Sequence, residues 1–183
     1  MSSSIYVHVA RAAIQSRLEG SHLDKNVFLS DEPALAHNGA CFVTLNLRGR
    51  LRGCIGSLIA YRPLIDDLIA NAEAAAFRDP RFPPLSSAEF DETDVEVSLL
   101  SEPRQIYYRD ADDLKAMIRP HIDGVILRSG SHQATFLPQV WDELNDFKRF
   151  FAQLGRKAAL GDNPLSYHPE VYVYQVRKFA EEG

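Results

Sequence analysis

The sequence predicts an α+β fold in which helices flank a mainly antiparallel sheet. Three observations point there. Strand-like runs meet across very short turns, at Arg48-Gly49-Arg50 and at Ser129-Gly130-Ser131, and strands joined this tightly pair antiparallel. Thr93 to Leu100 alternates Val95, Val97 and Leu99 against Asp94, Glu96 and Ser98, the period of a strand with one buried face. Between such runs lie apolar stripes at helical spacing, as in Leu64, Ile65, Leu68, Ile69, Ala72, Ala75 and Ala76.

Taken in order, Ile5, Val9, Ala12, Ala13 and Leu18 predict a helix from Ser4 to Glu19, closed by Gly20. Residues 21–39 are polar, carry a proline and a glycine, and read as a long connection. Ala40 to Leu47 reads as a strand and Leu51 to Ile59 as its hairpin partner. Pro63 suits the first turn of a helix over 64–78. Asp79-Pro80 stops that helix, because the residue before a proline is pushed away from helical angles. Arg81-Phe82-Pro83-Pro84 follows as a stiff loop, and Ser86 with Glu89 has capping-box spacing for a short helix. Beyond the 93–100 strand come a helix over 110–118, strands over 124–128 and 132–137, an apolar helix over 142–160 and a final strand over 171–179. Phe147, Phe150 and Phe151 of the last helix read as core. The hairpin-then-helix order of 40–78 recurs loosely at 124–160.

At 183 residues the chain reads as a single domain over 1–183 with room for two subdomains. A chain of this length buries roughly 70% of its unfolded surface, so its core needs neither disulfide nor metal. A net charge of −5 argues against a general nucleic-acid-binding surface, which calls for a basic footprint. No stretch reaches the length of a membrane span. The first twenty residues contain Arg11, Arg17 and Glu19 rather than the apolar run of a signal peptide. With only Cys41 and Cys54, the chain reads as a reduced, cytoplasmic protein. The two thiols lie on adjacent strands, within geometric reach of a disulfide that a reducing compartment disfavours. No CxxC, HxH or HExxH spacing occurs, so neither metal nor cofactor is expected. GRLRGCIG lacks the GKS/T ending of a phosphate loop.

The chemistry concentrates in Leu51-Arg52-Gly53-Cys54-Ile55-Gly56. In an extended strand Arg50, Arg52 and Cys54 share one face and Leu51, Ile55 and Ile59 the other. Positive charge beside a thiol favours the thiolate, so Arg48, Arg50 and Arg52 are candidates for an anion clamp around a nucleophilic Cys54. Gly53 and Gly56 would leave backbone N–H groups open to a close-approaching ligand. The plainer alternative is that Cys54 packs as a small hydrophobe. A thiol nucleophile needs a base, and His132, in a turn before a strand, is the best placed of the six histidines. Asp79 and Arg81 flank Pro80; they either line a site walled by Phe82 or brace the loop, with Arg81 paired to a nearby acid. Glu73 is either an acid/base group facing the hairpin or part of a solvated helix face. Trp141 with Tyr107 and Tyr108 reads as a partner surface or as packing.

Six stretches together resemble the AMMECR-type domain family, the protein A component of AmmeMemoRadiSam systems. They are FVTL (42–45), LRGCIG (51–56), NAEAAAFRDPRFPPL (71–85), EVSLL (96–100), DGVILRSG (123–130) and ATFLPQVW (134–141). The likeness covers nearly the whole chain. One departure is Lys157-Ala158-Ala159-Leu160, where the family pattern has a glycine before the leucine; that position reads as a helix end. The resemblance implies a two-lobed α+β fold with a cleft near LRGCIG, and association with a Memo-type protein and a radical-SAM protein. It supplies no reaction. Two functions stay open: a binding or adaptor domain that recognises a partner protein or a nucleotide or RNA segment, its arginines and glycines holding a phosphate or carboxylate, and a cysteine-dependent enzyme acting on a small anionic substrate. The incomplete catalytic set favours binding.

Overall fold

A computed structural model describes residues 4–181. Along the chain run α1 (Ile5–Glu19), α2 (Lys25–Asp31), β1 (Ala40–Leu47), β2 (Arg50–Gly56), α3 (Leu64–Phe77), α4 (Ser87–Asp91), β3 (Thr93–Leu100), β4 (Arg104–Ile106), α5 (Ala111–Met117), β5 (Gly124–Ser129), β6 (His132–Phe136), α6 (Phe147–Lys157), β7 (Glu170–Tyr174) and β8 (Val176–Ala180). Two compact units divide the chain: one runs to Leu100 and resumes at Arg177, the other spans Ser101–Val176. The predicted α+β class with antiparallel sheets holds in both.

In the first unit the sheet order is β2-β1-β3-β8, with β1 antiparallel to both β2 and β3. Ser4 caps α1 through Tyr6 N–H, and Gly20, with φ 67°, closes it. Arg48 (φ 52°) and Gly49 (φ 79°) both adopt left-handed angles, the two-residue turn whose twist matches a β-hairpin. Val43, Leu45, Val95 and Val97 on one sheet face pack with α1 and α3 into a single core. Residues 21–39 are not a plain connection. They hold α2, capped by Asp24, and a 3-10 turn at Pro33–Ala36. Its apolar residues Val27, Phe28 and Leu29 are consecutive rather than at helical spacing, and Phe28 and Leu29 pack only partly against the core, so periodicity does not detect it.

The strand carrying LRGCIG departs from simple alternation. Leu45 pairs with Gly53 but Asn46 pairs with Leu51, so Arg52 is the extra residue of a β-bulge. Leu51 is thereby carried to the Thr44–Cys54 face, and Arg52 leaves it. The expected shared face of Arg50, Arg52 and Cys54 is corrected accordingly. A disulfide is also excluded. Cys54 lies opposite Thr44, three residues and about 10 Å along β1 from Cys41, beyond the reach of an S–S bond.

Gly53 and Gly56 are demanded by packing. A Cβ on Gly53 would sit 2.1 Å from the carbonyl oxygen of Ala75 in α3, and one on Gly56 would sit 2.2 Å from the Phe42 ring. The side-chain space at both glycines is therefore taken by Ala75 and the Phe42 ring.

In the second unit the order is β4-β7-β5-β6, with β5 antiparallel to β6 and β7, and β4 antiparallel to β7. Trp141, fully buried, stacks on Phe150 at 3.6 Å and donates to the Asp123 carbonyl at 2.9 Å. Tyr108 is buried too, whereas Tyr107 is exposed, so the three aromatics share no partner surface. The helix expected over 142–160 begins only at Phe147, where Asp146 caps it; Pro138–Asp142 is a separate 3-10 turn that delivers Trp141 to the core. The strand expected over 171–179 breaks at Gln175, whose N–H turns to Ser101 Oγ (2.8 Å), so β7 and β8 serve different sheets.

At the departure from the family pattern, Ala159 takes φ +61°. Its N–H returns to Arg156 and that of Leu160 to Gly155, a helix end built for glycine. Ala159→Gly is expected to raise stability by about 1 kcal/mol by removing the left-handed penalty. Gly53→Ala should cost about 3 kcal/mol, because helix backbone cannot yield as a side chain can. Gly56→Ala should cost less, since the Phe42 ring can rotate. Urea unfolding of the three variants checks both the signs and the order.

Candidate functional site

The site is assembled from the end of α3, the loop after it and the edge strand β2. Pro80 ends α3 and turns the chain so that Asp79 points inward, only 4% exposed. The Asp79 carboxylate accepts the N–H of Cys54 (3.0 Å), the N–H of Arg81 (3.1 Å), and Nε (3.1 Å) and Nη2 (2.8 Å) of Arg81. Arg81 Nη2 also lies 3.5 Å from the Cys54 carbonyl oxygen. Both backbone groups of Cys54 that face away from β1 are therefore engaged by one Asp–Arg pair. The pair stands where a neighbouring strand would be, and it blunts a sheet edge. The Arg81 side chain nevertheless remains 54% exposed. Its hydrogen bonds hold the Asp79 carboxyl well below the ordinary carboxylate range against the opposing effect of burial, and the two backbone N–H groups add to that. The same bond pushes the Arg81 guanidinium up.

Cys54 is half-buried, and its Sγ lies 3.3 Å from Thr44 Oγ1 directly across the strand pair. Glu96 lies opposite Thr44 on the other side. Sequence reasoning missed both residues. The two-residue turn at 48–49 carries the signal for Thr44, since it sets FVTL against LRGCIG; the alternation of 93–100 puts Glu96 on the uncored face.

A second buried carboxylate braces the other end of α3. Asp67, fully buried, accepts from Cys41 N–H (2.9 Å), Ser57 Oγ (2.6 Å), Arg62 Nε (2.8 Å) and Asn71 Nδ2 (3.1 Å). Asn71 Nδ2 also donates to the Cys41 carbonyl at 3.0 Å. Cys41 Sγ donates to Asp67 at 3.3 Å, and burial, aided by the neighbouring carboxylate, pushes that thiol well up. Cys41 is a fixed donor in a polar network.

The three arginines do not form a clamp beside Cys54. Arg52 is 6% exposed; its Nε and Nη2 reach Glu89 at 3.0 and 3.2 Å, and Nη2 donates to the Pro83 carbonyl at 2.7 Å. That pair, together with the Ser86 N–H, lowers the Glu89 carboxyl. Arg48 pairs with Glu92 at the surface, and Arg50 is exposed. The bulge explains the difference, because it turns Arg52 towards α4 and away from the thiol face. Phe82, half-buried, lies against the guanidiniums of both Arg52 (5.6 Å) and Arg81 (5.4 Å). His132 is an exposed residue of the β5–β6 hairpin in the unit spanning Ser101–Val176, whereas Cys54, Asp79 and Arg81 belong to the other unit. Among the described residues no group of three or more His, Cys, Asp or Glu is arranged to hold a metal ion. Neither of two grooves is lined by residues of LRGCIG. One, of about 550 Å³, is bordered by α5, α6 and residues 162–165. The other, of about 500 Å³, is bordered by α1, α2 and α3 and includes Glu73.

The fold is that of an α+β protein whose edge strand carries LRGCIG beside the loop that follows α3. The chain belongs to the AMMECR1 family, whose model matches residues 7–179. It is 40% identical over 182 residues to a protein of Methanothermobacter thermautotrophicus, covering 97% of this chain and 93% of that one. A Saccharolobus solfataricus protein is 36% identical over 166 residues, covering 85% and 70%. The crystal structure of the uncharacterized protein PH0010 from Pyrococcus horikoshii matches with a TM-score of 0.84 and 34% identity, over 98% of this chain and 91% of that one. No described helix is long and apolar enough to cross a membrane.

Because the carboxyl of Asp79 is depressed in the folded state, its contribution is present at neutral pH and is lost as the pH falls below the unfolded value of about 4. Asp79→Asn should therefore lower stability at pH 7, and the gap to the native protein should hold until about pH 4 and narrow steadily below it. Urea midpoints measured across acid pH check both parts.

Proposed function

We propose that this protein is a binding or adaptor domain whose contact surface is the LRGCIG segment, with Arg81 receiving an anionic group of a small ligand or partner. The observation that carries this reading is the pairing of Arg81 with a buried carboxylate while over half of its side chain stays exposed. A guanidinium held on one edge keeps its other edge free, which suits planar carboxylate or phosphate recognition. The hydrogen-bond partner of the Cys54 thiol among the described residues is a threonine hydroxyl, a positioning contact without the base that a nucleophile requires. Memo-type and radical-SAM proteins, which the family resemblance brings in, are the first partners to test, in the cytoplasm that the free thiols favour.

Calorimetric titration with inorganic phosphate and simple carboxylates tests the reading. Cys54→Ser should leave affinity intact and Arg81→Gln should abolish it, with circular dichroism confirming the fold of each. Equal loss from the two changes, or binding that survives Arg81→Gln, contradicts it.

A further inference from the structure

The sheet register sets three chemically distinct groups in one row, and Arg81 stands at the edge beside it. From the edge inward come the Arg81 guanidinium, hydrogen-bonded at the Cys54 backbone, then the Cys54 thiol, the Thr44 hydroxyl and the Glu96 carboxylate. Residues directly opposite one another in antiparallel strands share a face. Val95 and Val97, on either side of Glu96, are core residues, so Glu96 lies on the Thr44–Cys54 face. In the adjacent row the Phe42 ring lies over Gly56, and on the other side the bulge brings Leu51, 43% exposed, beside Asn46. The row is therefore flanked by Phe42 and Ser98 on one side, and on the other by Leu51 near Cys54, Asn46 near Thr44 and Asp94 near Glu96. Glu96 is half-buried, yet no ion pair among the described residues engages it. A guanidinium at one end, the carboxylates of Glu96 and Asp94 at the other, and Phe42 and Leu51 beside the middle describe a site with a polarity as well as a sign.

We propose that Thr44 and Glu96 complete the site, and that it takes an elongated dipolar ligand, with its anionic group at Arg81 and an amine at Glu96. This inference rests on the anion-binding reading of Arg81 and adds the second charge and the length. Glu96 lies two strand spacings from Cys54, about 10 Å, with Arg81 beyond the edge. An α-amino acid is too short to reach both ends, and an extended chain of about eight carbons spans them. Glu96 acts here as a specificity-determining residue.

The probes are 8-aminooctanoate and octanoate, which share chain and carboxylate and differ in the terminal amine. Binding to the native protein and to Glu96→Gln, an isosteric change, is followed by NMR shift perturbation. The amine-bearing probe is expected to bind roughly fivefold tighter to the native protein, the size of a favourable exposed ion pair. In Glu96→Gln the difference should vanish while octanoate affinity stays unchanged. If the two probes bind the native protein alike, or if the preference survives Glu96→Gln, the dipolar site is overturned and the Arg81 reading stands. If neither binds, the anion reading falls and this inference falls with it.

Discussion

The closest constraint in the first unit is the contact between the backbone of α3 and the strand that carries LRGCIG. At Gly53 the carbonyl oxygen of Ala75 occupies the place that a Cβ would need, so helix and strand meet with no side chain between them. Each end of the helix then reaches the hairpin through a buried carboxylate. Asp67, in the first turn, takes the Cys41 N–H; Asp79, two residues past the end, takes the Cys54 N–H. The helix is bolted across both strands, and the position of Cys54 follows from the fit.

Buried carboxylates are costly unless donors replace the lost water. Both acids meet that condition. Asp67 gathers donors from four residues and Asp79 gathers them from Cys54 and Arg81. The consequence for chemistry is indirect. The acids fix backbone and orient Arg81, and the groups left facing outward are a thiol, a hydroxyl and part of a guanidinium. Such a set can recognise and position. Arg52 belongs to the frame as well: its pair with Glu89 joins the bulge to the capping box of α4.

Much of this was legible in the sequence where the governing interactions are local. Ser4 and Gly20 bound α1, the 48–49 turn fixes the hairpin, Ser86 and Glu89 form the expected capping box, and Asp79-Pro80 ends α3. The pairing of Arg81 with an acid in the DPRFPPL loop was foreseen for the same reason, its partner being two residues away. What escaped depends on contacts distant in the chain. The bulge at Arg52 arises between strands and reverses the face on which the arginines were expected. Glu89, 37 residues from Arg52, gives no local sign that it is the partner. The close approach of Ala75 and Phe42 to the side-chain positions of Gly53 and Gly56 exists only once the chain folds. Thr44 and Glu96 lie in strands that are legible in sequence, but only the register makes them neighbours of Cys54.

The central claim is that the Asp79–Arg81 pair substitutes for a strand and fixes the edge of β2 at Cys54. Amide hydrogen exchange at Cys54 tests it most directly, because that N–H points away from β1 and has Asp79 as its acceptor. Strong protection is expected in the native protein and its loss in Asp79→Ala, with the amide of Val43 in the adjacent ladder still protected. Protection of Cys54 that persists without the carboxylate would contradict it.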